Sequence, residues 1–431
     1  MPRTHGRATS PGATLVNVVG KLRDEGPREA FKRALRRAYQ HLDVAELDFP
    51  ILPRDVSDSW GLTLPVPPPR RVEGPLRVGW LCTPPAAGSG GHTTMFRMVR
   101  ALEEAGHQNV VLLYDRHHGD ARTQAAVIAQ SWAWVRPEVR SLDQGFADLD
   151  VVVATAWETA HVLATRTRTE PIHRAYFIQD YEPLFYPHGS VNALAADSYR
   201  LGHANITLGH MVRDHVTALG VPAHLLPFSC DTTVYRKHST GDRSGVVFYA
   251  RPDVPRRGYR LGALALQEFH RRFPDQEIHT YGAHAADLGV PVTDHGRPTP
   301  EGLNDIYNQV CAGLALSFTN ISLVAEEMLA AGCIPVVNDS ADARADIHSP
   351  YVHWATPTPG SLAEALGREV SLATEARATL AAASVRSDNW GEAGRGMVRV
   401  LEQLVENPPA SGRVPEDEYV GMSQTSGVAG G

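Results

Sequence analysis

The stretch from Leu76 to Asp115, LRVGWLCTPPAAGSGGHTTMFRMVRALEEAGHQNVVLLYD, indicates one βαβ unit. A short apolar run leads into a loop that is rich in glycine and proline. The next segment has apolar residues at helical spacing, with Met95 and Leu102 on one face, and a second apolar run then ends at Asp115. Strand, helix and strand in this order are typical of a parallel α/β sheet in which the helix is the crossover connection.

The same alternation continues along the chain, so we expect further strands of this kind. The candidates are ADLDVVVAT (147–155), HRAYFIQD (173–180), ITLG (206–209), SGVVFYAR (244–251), EIHTYG (277–282), AGLALSFT (312–319) and CIPVVND (333–339). The pattern restarts after LLPFSCDTTVYRK (225–237), which predicts two parallel sheets with a boundary at that segment. Ligands of such folds bind beyond the carboxyl ends of the strands, so the cleft between the halves is the expected site.

Composition limits the class of protein. The 431 residues, 43% hydrophobic and 21% charged, are typical of a globular protein with two sizeable domains and an appendage. Lys and Arg number 41 against 48 Asp and Glu, and the formal charge of -7 provides no general basic field for nucleic acid. No apolar run reaches the roughly 18 residues of a membrane span, and no secretory signal is evident, although peripheral membrane contact stays open.

The four cysteines, Cys82, Cys230, Cys311 and Cys333, lie in apolar surroundings and lack CxxC spacing. We therefore expect reduced, buried thiols rather than disulfides or a metal site. Reduced thiols are usual in the cytoplasm, so the composition predicts a cytoplasmic protein.

The ends of the chain differ in composition from the part between them. The segment PREAFKRALRRAYQHL (27–42) predicts a basic amphipathic helix, and LTLPVPPPRRVEGP (62–75) predicts a stiff, extended linker. Residues 1–74 are thus expected to form an N-terminal helical extension and linker. Contact with an anionic membrane, packing on the protein and a homo-oligomer contact are all compatible with the helix. Residues 407–431 are rich in Gly, Pro and Ser and predict a disordered tail.

The glycine loop GSGG (88–91) joins a predicted strand to a predicted helix. Glycines such as Gly90 and Gly91 let backbone N–H groups approach a phosphate or sugar, and the helix N-terminus adds positive potential. The spacing is not G-x-G-x-x-G, because Thr93 replaces the last glycine, but Asp115 ends the next strand as a ribose-binding acid does in dinucleotide sites. A nicotinamide dehydrogenase and a glycine turn without a ligand are therefore alternatives.

Three arginines lie in ARPDVPRRGYRLGALALQEF (250–269), at the end of one predicted strand and the start of a helix. Arg251, Arg256 and Arg257 can converge on one diphosphate, because planar guanidinium groups form charge-assisted hydrogen bonds with phosphate oxygens. The alternative is a solvated surface loop. The chain has no Walker phosphate loop, HExxH or paired Cys/His spacing, so no metal site is predicted.

The segment YFIQDYEPLFYPHGS (176–190) places Asp180 directly after a strand and follows it with aromatic residues and prolines. Aromatic rings stack on the apolar faces of sugars, and carboxylates accept hydrogen bonds from hydroxyls. Asp180 is therefore expected to face the cleft, with a loop-fixing role as the alternative. We expect His203, His210 and His215 to be structural or exposed.

Four motifs in this order resemble one family: GSGGH (88–92), FSCDTTVYRK (228–237), ARPDVPRRG (250–258) and SLVAEEMLAAGCIPVV (322–337). They are similar to the retaining glycosyltransferase family four, over roughly residues 76–406. Within it, YFIQDYEPLFYPHGS and FYARPDVPRR (248–257) most resemble the bacterial rhamnosyltransferases that build rhamnan and related cell-surface glycans. The resemblance implies an α/β protein of GT-B architecture, with two Rossmann-like domains facing across a cleft.

The implied domains are an acceptor domain at 75–228, a nucleotide-sugar donor domain at 229–384, and a helix at 385–406 that begins in the NWGEA segment of Trp390 and crosses back. Arg251 and Arg256 would hold the donor diphosphate during catalysis, with Arg257 as a further contact. Asp180 would lie near the acceptor hydroxyl or the transferred sugar. The remaining implied donor contacts are Gly90, Gly91, Tyr281, Asn320, Ser322 at a helix N-terminus, Leu323, and Glu327, which would bind the nucleotide ribose.

One position departs from the family pattern, which has a second glutamate eight residues before Glu327. This chain has Thr319 there, so a sugar-contacting acid is missing. The departure suggests an unusual donor, and a 6-deoxyhexose such as rhamnose on dTDP fits the subgroup.

The implied activity is transfer of a sugar from a dTDP- or UDP-sugar to the hydroxyl of a glycan, lipid-linked or small-molecule acceptor, with retention and without a metal or other cofactor. A sugar-nucleotide epimerase of the same fold and an inactive glycan-binding protein are the alternatives.

Overall fold

The computed structural model describes residues 49–117, 119–228, 230–282, 288–321, 323–385 and 390–409. Contacts between Cα atoms divide the chain into two units, Met1–Arg54 and Asp55–Gly431. The predicted basic helix at 27–42 and most of the predicted tail lie outside the described residues. Both predicted sheets lie in the second unit.

The first sheet has seven parallel strands in the order β3-β2-β1-β4-β5-β6-β7. Its strands are β1 (Arg77–Cys82), β2 (Gln108–Leu113), β3 (Glu138–Ser141), β4 (Val151–Ala154), β5 (His173–Ile178), β6 (Ala204–Leu208) and β7 (Ala223–Leu226). Its helices are α1 (Gly90–Glu104), α2 (Ala121–Ser131), α3 (Trp157–Arg166), α4 (Ser190–Asp197) and α5 (His210–Thr217).

The second sheet has six parallel strands in the order β10-β9-β8-β11-β12-β13. They are β8 (Val246–Ala250), β9 (Ile278–Gly282), β10 (Thr293–Asp294), β11 (Ala312–Leu314), β12 (Ile334–Asn338) and β13 (His353–Ala355). The helices are α6 (Tyr259–Arg272), α7 (Pro300–Gln309), α8 (Leu323–Ala330), α9 (Ala341–Arg344), α10 (Pro359–Ser371), α11 (Glu375–Ala383) and α12 (Gly391–Glu406). Short 3-10 turns span Pro53–Asp55, Leu142–Gln144, Glu182–Phe185, Ser198–Arg200 and Pro255–Arg257.

Both sheets have the doubly wound strand order, which reverses beside the first strand of each domain. The reversal leaves a crevice between β1 and β4 in one sheet and between β8 and β11 in the other. Each sheet has its own core, with Trp80 and Phe96 buried in the first, and Phe248 and Phe269 in the second. The prediction of two parallel α/β domains is therefore confirmed.

Residues 55–74 pack along the first domain, although the sequence assigned them to an extension and linker. The Ser57 backbone N–H donates to His161 Nδ1 at 3.2 Å, and Arg174 Nη1 donates to the Pro65 carbonyl at 2.8 Å. Leu62 and Leu64 are buried. The prolines keep this segment extended, while its leucines and backbone groups hold it against the domain.

Helix α12 packs against the first domain. Met397 and Leu401 lie in the first domain's core. A Cβ atom on Gly394 would lie 2.7 Å from the Cβ atom of Ala101 in α1, so the two helices are in close contact. Trp390 is the N-cap of α12 and has a left-handed φ of 75°, which is unusual for a residue other than glycine.

The four cysteines are free and buried, as predicted. Among the described residues, no helix is both long and apolar enough to cross a membrane.

Helix α6 packs on β8 at Gly262, where a Cβ atom would lie 2.4 Å from Phe248 Cζ. We expect Gly262→Ala to lower the free energy of unfolding by about 1–3 kcal/mol, because the buried ring has to move. This clash should outweigh the gain of about 1 kcal/mol in helix propensity. Urea unfolding measures the change. In the control Gly360→Ala, the nearest atom is Arg272 Nη2 at 3.9 Å, so no loss is expected; equal losses in both variants would contradict the packing argument.

Candidate active site

A cavity of about 760 Å³ lies between the two domains, at the carboxyl ends of their strands. It brings together the predicted residues Gly90, Gly91, Asp180, Arg251, Arg256, Arg257, Tyr281, Asn320, Leu323 and Glu327. Ser322 lies outside the described residues. The cavity is thus where the sequence motifs of both domains meet, while the role of each residue stays a prediction.

The N-terminus of α1 forms part of the first domain's wall. Ser89 is the N-cap, and its side chain accepts a hydrogen bond from the His92 backbone N–H at 3.4 Å. A Cβ atom on Gly90 would meet nothing within 4 Å, and one on Gly91 would lie 3.7 Å from Gln179 Oε1. Small residues therefore leave this part of the cavity free for a ligand, and the helix N-terminus favours an anionic one.

Asp115 is absent from the residues that line the cavity. Its carboxylate accepts hydrogen bonds from the backbone N–H groups of His117 at 2.8 Å and Gly119 at 2.9 Å. Asp115 therefore fixes its own loop, and the geometry gives no support to a dinucleotide site of the dehydrogenase type.

Four arginines of the second domain line the cavity, and three of them, Arg251, Arg257 and Arg297, have partners within that domain. Arg251 forms two hydrogen bonds with Asp253, at 3.0 and 2.9 Å. Arg257 donates to Ser317 Oγ at 2.9 Å, and burial lowers the pKa of its guanidinium. The fourth arginine, Arg297, was not singled out from the sequence and donates from Nε to the Gly282 carbonyl at 3.2 Å.

Arg256 reaches the first domain. Its guanidinium carbon lies 4.0 Å from the centre of the Phe185 ring, and its Nε atom lies 3.9 Å from Asp180 Oδ2. Within the described part of the chain, this buried Nε has no hydrogen-bond partner. A buried guanidinium donor with unused capacity is a ready contact for an anionic ligand.

Asp180 faces the cleft, as predicted, but it also contacts the opposite domain directly. Its carboxylate accepts hydrogen bonds from Thr319 Oγ1 at 2.9 Å and from the Asn320 backbone N–H at 3.3 Å. The Asn320 side chain donates to the Gln179 carbonyl at 2.9 Å. Burial raises the pKa of Asp180, while Arg257 and Arg256 oppose that rise.

Glu327 projects from α8 into the cavity and is half-buried. Among the described residues, its carboxylate has no hydrogen-bond or salt-bridge partner. Burial raises the pKa of Glu327 to about 7, and Arg97 acts in the opposite direction. Its neighbour Glu326 does not line the cavity. An unpaired carboxylate in this setting is unfavourable unless a ligand satisfies it.

A second carboxylate of the first domain, Glu182, was missed from the sequence. It is buried beside Asp180 in the cavity wall and accepts hydrogen bonds from the Trp157 backbone N–H at 2.5 Å and from Tyr176 Oη at 3.0 Å. Burial, followed by the charge of Glu158, raises the pKa of Glu182 well above its ordinary range. No spacing rule distinguishes this glutamate from an exposed one, because its partners come from other elements.

The three histidines make local contacts outside the cavity, in keeping with the expectation that they are structural or exposed. His203 is buried and hydrogen-bonds through Nε2 to the Ala160 carbonyl at 3.0 Å. His210 Nδ1 lies 3.2 Å from Asp346 Oδ1, and His215 Nε2 lies 3.0 Å from Asp342 Oδ1. None of the histidines lines the cavity.

Comparisons with known proteins agree with this architecture. Residues 244–367 match the family described as WsaF, C-terminal domain, and residues 139–210 match WsaF, N-terminal domain. The O-antigen biosynthesis protein RfbC of Myxococcus xanthus is 31% identical over 322 residues, which are 70% of this chain and 25% of RfbC. This chain therefore spans about a quarter of the length of that curated relative.

Solved structures share the fold. The crystal structure of Anabaena Alr3699/HepE in complex with UDP aligns with a TM-score of 0.56 and 15% identity, covering 77% of this chain and 99% of that chain. A glycosyltransferase from Rickettsia africae aligns with a TM-score of 0.57 and 11% identity, covering 77% and 99%. The GT-B fold with two Rossmann-like domains is therefore confirmed.

The pKa of Glu327 leads to a prediction about stability. Because this pKa is raised from 4.5 to about 7, the folded protein binds more protons than the unfolded chain between these values, and stability falls as the pH rises. We expect the free energy of unfolding of Glu327→Gln, minus that of wild type, to rise by roughly 1–3 kcal/mol between pH 4.5 and pH 7.5. Above pH 7.5 this difference should stay level. Urea unfolding of the ligand-free proteins measures this. The exposed Glu364→Gln serves as the control, and a flat difference for Glu327→Gln would contradict the prediction.

Proposed function

We propose that the protein is a glycosyltransferase that moves a sugar from a nucleoside diphosphate sugar to an acceptor hydroxyl during the synthesis of a cell-surface polysaccharide. The observation that carries the proposal is the arginine cluster of Arg251, Arg256 and Arg257, which shares one interdomain cavity with the unpaired carboxylate of Glu327. The matches to both WsaF domains and the similarity to the O-antigen biosynthesis protein RfbC support it. So does the fold shared with HepE, which was solved with UDP-glucose.

The donor diphosphate would bind at the arginines. Arg251 is held by Asp253 and Arg257 by Ser317, so both guanidinium groups are already oriented before a ligand arrives. When the bond between the sugar and the phosphate breaks, negative charge grows on the departing diphosphate. Oriented cations in a cavity that excludes water stabilise that charge without reorganisation. These side chains supply the positive charge, so the reaction we propose uses no metal.

Glu327 would bind the pentose of the nucleotide. A carboxylate accepts hydrogen bonds from both hydroxyls of the ribose in a UDP-sugar, and from the single 3′-hydroxyl of the deoxyribose in a dTDP-sugar. The nearby Tyr281 packs on Tyr249, with ring centres 5.0 Å apart, and both rings line the same cavity. They supply an apolar surface beside the nucleotide.

For the transferred sugar we propose a 6-deoxyhexose such as rhamnose, carried on dTDP. Thr319 stands where the family pattern has an acid, and its hydroxyl is engaged by Asp180. The second domain thus offers one carboxylate fewer to sugar hydroxyls than that pattern provides. A sugar with a methyl group in place of one hydroxyl needs fewer such partners.

The acceptor would bind on the first domain, where Thr155, Glu182 and Phe185 line the cavity. An aromatic ring and carboxyl groups suit a sugar acceptor. Its hydroxyl oxygen would attack the anomeric carbon on the face that the diphosphate leaves, which retains configuration, and its proton would pass to a phosphate oxygen or to Asp180. A cytoplasmic location, peripheral membrane contact and homo-oligomer formation stay predictions.

The activity can be tested with a panel of dTDP-, UDP- and GDP-sugars, by measuring release of free nucleoside diphosphate with and without candidate glycan acceptors. We expect the greatest release from dTDP-6-deoxyhexoses, and an increase when an acceptor is added. Conversion of the donor into another sugar nucleotide without acceptor would instead identify an epimerase. Absence of binding by every donor would reject the transferase.

The arginine cluster can be tested with Arg256→Met, which removes the charge but retains much of the side chain's apolar contact with Phe185. We expect kcat/KM to fall by about 10²–10³, the usual effect of losing one group that stabilises transition-state charge. Arg260→Met is the matched control, because Arg260 is exposed on α6 and does not line the cavity. Equal activity of the Arg256 variant and this control would remove Arg256 from the mechanism.

A further inference from the structure

Arg251 is held at the cavity wall by two partners of different kinds. Its Nε and Nη2 atoms donate to the two carboxylate oxygens of Asp253 at 3.0 and 2.9 Å, and its Nη1 atom donates to the Tyr249 hydroxyl at 3.1 Å. A guanidinium group has five N–H donors, so these bonds leave two N–H groups, one on each terminal nitrogen. Neither has a partner among the described residues. Two such donors can bind two oxygens of one phosphate.

Of the two partners, Tyr249 has the more firmly fixed position. The Asp253 side chain is 60% exposed in the loop that follows β8, and competition from water weakens an exposed ion pair. Tyr249, by contrast, lies within β8 and is half-buried. Its hydroxyl is therefore the contact that ties the guanidinium group of Arg251 to a strand of the sheet.

The Tyr249 ring is held in turn by the neighbouring strand β9. It stacks on the Tyr281 ring, with ring centres 5.0 Å apart and an angle of 20° between the planes. Tyr281 is buried, and its hydroxyl group is hydrogen-bonded to that of Tyr307 at 2.5 Å. Gly282 has a φ of 114°, and a Cβ atom on it would lie 2.9 Å from Tyr249 Cε2. Position 282 thus needs glycine both for its backbone conformation and for the close approach of the Tyr249 ring.

We propose that Tyr249 is a positioning residue for donor binding, whose hydroxyl group holds Arg251 in the orientation that binds the diphosphate. The inference rests on the proposed function, since it takes Arg251 as a diphosphate contact. Ordering one long side chain when a ligand arrives weakens affinity by about two- to tenfold. A guanidinium group that is already oriented avoids this loss. Arg251, Tyr249 and Tyr281 all line the cavity, so the two rings also join the diphosphate contact to the proposed nucleotide surface.

The proposal can be tested with Tyr249→Phe, which removes the hydroxyl group and keeps the ring that stacks on Tyr281. Calorimetry measures the dissociation constants of UDP and dTDP, and the nucleotide that wild-type protein binds more tightly serves as the probe. We expect Tyr249→Phe to weaken binding of this probe about fivefold, within the range for ordering one long side chain.

Tyr351→Phe is the matched control. Tyr351 is a half-buried tyrosine of the same domain that also lies beside an arginine, with Arg377 Cζ 5.9 Å from the centre of its ring. It does not line the cavity, so this variant should bind the probe as tightly as wild type. Thermal unfolding of both variants checks that each is folded at the temperature of the binding measurement.

The same substitution in a protein without Arg251 separates positioning from a structural role. In the Arg251→Met background there is no guanidinium group to orient, so Tyr249→Phe should have no further effect on affinity. The double variant and Arg251→Met should therefore bind the probe equally, although both bind it more weakly than wild type. Such a double-mutant cycle isolates the interaction between the two side chains.

An equal loss from Tyr249→Phe in both backgrounds would show that the hydroxyl group acts without Arg251, and would overturn the proposal. Unchanged affinity of Tyr249→Phe would overturn it as well, and neither result would touch the proposed function. If Arg251→Met bound the probe as tightly as wild type, Arg251 would lose its place in the proposed function and Tyr249 its role. Failure of wild-type protein to bind either nucleotide would reject the proposed function and the inference with it.

Discussion

The arrangement of the cavity depends on one constraint, which is that positive charge placed between two domains needs compensation. Arg251, Arg256 and Arg257 are half-buried, and each contacts a nearby acid, hydroxyl or ring. Withdrawing an ion from water without such partners is strongly unfavourable. The same compensation leaves guanidinium groups at the cavity wall, where we propose that the donor diphosphate binds.

The second feature is that neither domain has a complete site. Asp180 ends β5 of the first sheet, yet its hydrogen-bond partners Thr319 and Asn320 follow β11 of the second. Parallel strands direct their carboxyl ends to one edge of a sheet, and in this protein the two edges face each other. Contacts across the cleft therefore hold residues of both domains together in the wall of one cavity. In the segments that connect the domains, Arg97 contacts Asp231 and the Trp390 ring.

The strands show why part of the fold could be predicted. Central strands such as β4 and β5 are covered on both faces, so they appear in the sequence as continuous apolar runs. All four edge strands were missed: β3 (EVRS), β7 (AHLL), β10 (TD) and β13 (HWA). Edge strands are short and partly exposed, and their pairing comes from the neighbouring strand. The packed residues 55–74 belong to the predicted extension and linker (1–74), because prolines indicate an extended chain but not what the chain lies against.

The sequence by itself determined the two-domain α/β fold, because buried parallel strands appear in it as apolar runs. It also located the motifs of the candidate site, because glycine loops, arginines and acids directly follow those runs. It also separated Glu327 from Glu326, through the resemblance to a known family. Only the tertiary structure placed Thr319 against Asp180, brought Glu182 into the wall of the cavity, and stacked Tyr249 on Tyr281. Those relations join residues that are far apart in the chain, so local chain order does not indicate them and only the folded structure brings their side chains together.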